Sequence, residues 1–152
     1  IQGTAVTLLT TELNSLATGT GAVSSVGGSS GVFNNLAGGG TSNLDGYFQG
    51  RYELVLNTGH TISTAGAINV WFLRSIDGTN FEDGSSSIIP KRSPDLTFFP
   101  AATAGTQRLV IDGPVPPGYV KVLLLPLNLG GGAQLASSGN TLKVLAFTSQ
   151  AV

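Results

Sequence analysis

Glycine punctuates this sequence so densely that a mainly helical fold is disfavoured before any other property is weighed. The chain holds 22 Gly and 7 Pro among 152 residues. A glycine in a helix interior costs roughly 0.5–1 kcal/mol relative to alanine, whereas tight turns use its positive φ at no steric cost. Such a mixture suits short strands joined by many turns. The length fits one domain on the prior of ~100–200 residues per domain.

The runs between the glycines carry strand periodicity. In Arg51-Tyr52-Glu53-Leu54-Val55-Leu56, alternation puts Tyr52, Leu54 and Leu56 on one face and Arg51 and Glu53 on the other, which predicts a half-buried strand. The next run, 67–75, sets Ile68, Val70 and Phe72 against Asn69, Trp71 and Leu73. Both faces are apolar there, so one of them must meet a partner or a loop. Asp77-Gly78 ends the run as a turn. Pro90 and Pro94 demote the short apolar pieces Ile88-Ile89 and 96–99 to edge strand or loop. Further strands are expected over 108–112, over 119–125 with both faces buried, and over 141–148. Gly130-Gly131-Gly132 and Gly139-Asn140 place turns at the spacing of a sandwich or jelly roll. The expected fold is all-β, an antiparallel, jelly-roll-like β-sandwich over 46–152.

The first 45 residues read differently. Leu9, Leu13 and Leu16 recur at i, i+4 and i+7, with Thr11 as N-cap and Gly19 as stop, which predicts one short N-terminal helix over 9–17. Residues 19–45 are mostly Gly, Ser, Asn and Thr, with isolated Val23, Val26, Val32, Phe33 and Leu36. Backbone ordering costs about 1–2 kcal/mol per residue, and so few apolar side chains do not offset it. Residues 1–45 are therefore expected to form a Gly/Ser-rich N-terminal arm that a neighbouring protein orders. Leu9, Leu13, Leu16, Val32, Phe33 and Leu36 are its candidate protein-interface residues, joined by Trp71 on the second apolar face of 67–75.

Charge narrows the function classes. Asp, Glu, Lys and Arg make up 10% of the chain, against about 25% in an average soluble protein. Net charge is −1, which supplies no cationic field for a phosphate backbone or an anionic membrane, so no nucleic acid or membrane partner is expected. The apolar stretch 120–129 is interrupted by Lys121, Pro126 and Asn128 and falls short of the ~20 residues that span a bilayer, so neither a transmembrane helix nor a signal peptide is expected. A neutral surface of Ser, Thr and Asn offers little electrostatic resistance to another protein, which favours assembly.

Motifs for chemistry are missing. With no Cys there is no disulfide, thiolate metal site or cysteine nucleophile. His60 is the single histidine, without a GxSxG elbow or HExxH partner, and reads as a surface loop residue in Asn57-Thr58-Gly59-His60-Thr61. The acidic run from Asp77 to Gly84 departs from the EF-hand ligand order and reads as a turn anchored by Phe81. Gly19-Thr20-Gly21-Ala22-Val23-Ser24 lacks the third glycine and preceding strand of a dinucleotide fingerprint. No catalytic, cofactor-binding or metal residue is nominated, no cofactor is expected, and the chain reads as a non-enzyme. Tyr47, Trp71 and Tyr119 are the aromatics that could stack on a sugar.

Several stretches carry a family resemblance. They are Asp45-Gly46-Tyr47-Phe48 with Tyr52-Glu53-Leu54-Val55-Leu56; Val70-Trp71-Phe72-Leu73-Arg74-Ser75-Ile76-Asp77-Gly78-Thr79-Asn80-Phe81; and Pro116-Pro117-Gly118-Tyr119-Val120-Lys121-Val122 with Ala136-Ser137-Ser138-Gly139-Asn140-Thr141-Leu142-Lys143-Val144. Together with Gln107-Arg108-Leu109-Val110 they resemble small virion structural proteins of tailed bacteriophages, over about the last two-thirds of the chain. The resemblance implies a capsid decoration or cement protein on the virion surface, with the major capsid protein and copies of itself as partners, commonly as a homotrimer. The competing expectation is a tail or fibre module that binds a host-surface glycan.

Overall fold

Short, glycine-bounded runs with apolar side chains on one face or on both form nine strands among the described residues. A computed structural model describes residues 2–25, 31–35, 44 and 46–147. The strands are β1 (Gln2–Leu9), β2 (Ala22–Val23), β3 (Phe33–Asn35), β4 (Gln49–Leu56), β5 (Ala67–Ser75), β6 (Leu96–Phe98), β7 (Gln107–Pro114), β8 (Gly118–Leu127) and β9 (Thr141–Phe147). They form two antiparallel sheets, one in the order β1-β9-β4-β7, the other in the order β2-β8-β5-β6, with β3 also paired to β8. The chain is all-β.

The pairing is nested. β1 pairs with β9, β2 and β3 with β8, β4 with β7, and β5 with β6. Each further pair lies inside the last one in sequence, and β4–β9 and β5–β8 stitch the nested pairs into sheets.

One core joins the sheets. Tyr52, Leu54 and Leu56 of β4 and Leu142 and Val144 of β9 are buried with Ile68, Val70 and Phe72 of β5 and Val120, Val122 and Leu124 of β8. The Tyr52 and Phe72 rings meet at 5.7 Å between centroids, tilted by 41°. The Tyr52 hydroxyl donates to the Pro114 carbonyl at 2.7 Å. The expected faces of 51–56 and 67–75 are those observed, and β6 is the edge strand that its flanking prolines predict.

The N-terminal helix is replaced. Leu9 ends β1, opposite Leu142, and a single 3-10 turn covers Thr11–Leu13. Asn14 is extended and Ser15 has a φ of 53°, so no helical ladder continues. The backbone bonds go across the molecule instead: Ser15 N–H donates to the Ala136 carbonyl at 2.9 Å, Thr18 N–H to Ala133 at 2.9 Å, and Leu135 N–H to Leu16 at 2.9 Å. Leu9, Leu13 and Leu16 are buried because they plug the end of the core, and a turn satisfies their spacing as well as a helix does.

The described part of the expected arm is built into the body by the chain's own strands. β1 is a full strand of the first sheet, and Leu8, Ala22, Phe33 and Leu44 belong to the shared core.

Candidate interaction surface

The second apolar face of β5 is closed by the chain itself. Trp71, Leu73, Leu123 and Leu125 form a small buried cluster, covered in part by Val23, Phe81 and Leu127. The Lys121 ammonium stands 5.0 Å from the Phe81 ring centroid. The long loop between β5 and β6 is fastened over this cluster by Arg92, which donates to Glu82 at 2.7 and 3.0 Å, to Asp95 at 2.8 Å and to the Phe72 carbonyl at 2.9 Å. Asp95 accepts the Phe72 N–H at 2.8 Å. The Arg92 guanidinium, through this paired hydrogen bond, holds the Glu82 carboxyl below its ordinary range.

This arrangement corrects the place given to Trp71. Its indole is buried and its N–H donates to the Arg92 carbonyl at 3.1 Å, so it presents no face to a partner or a sugar. Leu9, Leu13, Leu16 and Phe33 are buried in the shared core and likewise offer no surface. Val32 is half-buried next to β3, and Leu36 lies outside the described residues. The expected interface set is therefore not brought together as a patch. Local sequence shows no core for the arm residues, and the nested strands supply one.

His60 also differs from expectation. It is 3% exposed, with Nε2 at 2.9 Å from the Gly105 carbonyl and Nδ1 without a partner among the described residues. It ties its loop to the segment before β7, and among the described residues no carboxylate or nucleophile is bonded to it.

Asp77 behaves as a turn residue. One carboxylate oxygen accepts from the N–H groups of Thr79 and Asn80, both at 2.8 Å, and from the Ser75 hydroxyl at 2.9 Å. The other accepts from the Asn80 amide at 2.8 Å. The backbone donors of Asn80 and Thr79, with these side chains, keep its carboxyl well below the carboxylate range. Its lone pairs are occupied by its own loop. Among the described residues no group of three or more His, Asp or Glu is placed to hold a metal ion.

What the surface does present is apolar side chains and a sheet edge. Phe48 is 69% exposed, Phe99 72% and Val110 53%, and Ile76 is fully exposed. An open groove of about 480 Å³ lies against Phe48, Gln49, Asp112, Gly113, Pro114 and Phe147. A second, of about 570 Å³, lies beside the Asp77 turn, against Ile76, Phe81 and Pro117. On the outer face of the first sheet, Arg51 pairs with Asp112 at 2.8 Å and Arg108 with Glu53 at 3.3 Å. Val110 stands between Arg108 and Asp112 on that face. No protein-family model, curated protein or solved structure matches the chain.

Proposed function

We propose that the chain is a structural virion protein of a tailed phage, which binds the capsid lattice from outside and stabilises it as a decoration or cement protein. The observation that carries this reading is the nested antiparallel pairing. First strand with last, next with next to last, folded into two sheets over one core, is an order we read as that of a jelly-roll sandwich, an architecture used in viral capsids and in lectins. Fold alone does not assign function. The neutral surface and the exposed Phe48, Ile76 and Phe99 add the second support, since such a body is suited to broad protein contacts. Its partners on this reading are the major capsid protein and copies of itself, and no catalytic step is assigned to it.

The glycan-binding alternative is favoured by one feature. The groove at Phe48 and Phe147 sets aromatic rings beside the Asp112 carboxylate, as a sugar site would. Mixing the purified chain with phage shells that lack it, and then with a glycan array, separates the two. Saturable co-sedimentation with shells, at a fixed ratio to the shell subunit, supports the capsid reading. Glycan retention without shell binding overturns it.

A further inference from the structure

The sheet edges are unequal. β1 carries irregularities in its register with β9, between Gln2 and Ala5 and between Thr7 and Leu9. β2, β3 and β6 are two or three residues long. β7 is different: eight residues pair with β4 without a register shift, and no proline interrupts it before Pro114. Natural sheets blunt such edges with bulges, prolines or short length, and the other edges of this molecule do so.

The direction of the β7 backbone follows from one bond. Val115 N–H donates to the Phe48 carbonyl at 3.0 Å, on the same register that pairs Gln49 with Pro114. Hydrogen-bonded pairs alternate along an antiparallel ladder, so Gln107, Leu109, Ile111 and Gly113 turn their N–H and C=O groups toward β4. Arg108, Val110 and Asp112 turn theirs outward. Among the described residues, no hydrogen bond satisfies the outward N–H groups of these three.

This edge is complementary to itself. We propose that a second copy of this chain adds antiparallel to β7 about a two-fold axis through Val110, joining the two first sheets into one continuous sheet. In that register Val110 lies opposite Val110 of the second copy, and Arg108 lies opposite its Asp112, with the reciprocal pair on the other side. Each of these is a hydrogen-bonded pair, because all three residues face outward, and Leu109 falls opposite Ile111 on the inner face. Arg51, Asp112, Arg108 of the second copy and its Glu53 then form a row of alternating sign across the seam. A lone charge at the centre of the strand would block pairing; opposite charges placed symmetrically about Val110 select it and fix its register. An isologous contact of this kind closes as a dimer, in place of the homotrimer implied by the phage resemblance.

The inference does not rest on the capsid reading, and its test uses the full chain alone. Sedimentation velocity over a wide concentration range is expected to show a monomer–dimer equilibrium. Arg108→Asp and Asp112→Arg each set like charges opposite one another, and each is expected to raise the dimer dissociation constant about tenfold or more. Both are exposed substitutions in ion pairs that contribute little to folding, so the thermal midpoint stays near that of the parent. Mixing the two variants restores complementary pairs on both sides, and is expected to recover parental association as one-to-one heterodimers. The proposal is overturned by a parent that stays monomeric or forms trimers, by a variant that self-associates as tightly as the parent, or by a mixture no tighter than its components.

Discussion

Arg92 is the residue on which the loop over Trp71 depends. It holds two carboxylates and a strand carbonyl with one planar guanidinium, while its own carbonyl accepts the Trp71 indole. Replacing it with alanine leaves Asp95 and the Phe72 carbonyl short of a donor in a partly buried place. A loss of about 1–3 kcal/mol in denaturant unfolding is expected for Arg92→Ala. The contact to Glu82 is also one of several that set the acid limb of stability. Glu82, Asp77, Asp112 and Glu12 all have carboxyls held below their ordinary values, which are 4.5 for Glu and 3.8 for Asp. The folded chain therefore binds fewer protons than the unfolded chain in acid. Stability from these groups is full above about pH 5 and is lost progressively as the pH falls below 4. Thermal melts across that range test this, and Arg92→Ala is expected to show a shallower acid decline because Glu82 no longer gains from ionising. Burial raises the Tyr52 phenol above its ordinary 10.0, so stability is also expected to fall as the pH rises through that value. His60 shows what a residue-level reading misses. Asn57-Thr58-Gly59 announces a turn, but nothing near it in sequence announces that Gly105 lies against the ring.

At the scale of elements, strands with a strong apolar pattern, on one face or on both, were legible and those without it were not. β4 declares itself through Tyr52, Leu54 and Leu56, and β5 and β8 through apolar residues on both faces. β1 reads as Gln-Gly-Thr-Ala-Val-Thr-Leu-Leu, too weak an alternation to stand alone, and it exists because β9 offers an edge. The misplaced helix has the same origin, since three leucines spaced for a helix face can equally close the end of a core. Close approach between elements is a further constraint that local pattern hides. A Cβ at Gly66 would run into the backbone carbonyls of Leu127 and Asn128, which no side-chain rotation relieves. Gly66→Ala is expected to destabilise by about 1–3 kcal/mol, measured by chemical denaturation.

For the whole molecule, composition and turn spacing indicated an all-β chain, whereas the integration of the described part of the first 45 residues depended on pairings between residues as far apart as Asn35 and Gly118 or Gln2 and Phe147. Strands β1 and β4 both pair with β9, so a chain ending at Asn140 would leave two long edges bare. That truncation is expected to aggregate, with light scattering and thioflavin binding as the readout, whereas the full chain is expected to stay soluble and melt cooperatively. The nesting also sets an order of events during synthesis. Of the described strands, β1 is made first and waits for its partner β9, which is made last. At about 5–20 residues per second, several seconds separate the synthesis of β1 from that of β9, so the first sheet closes only after all the other described strands have been made.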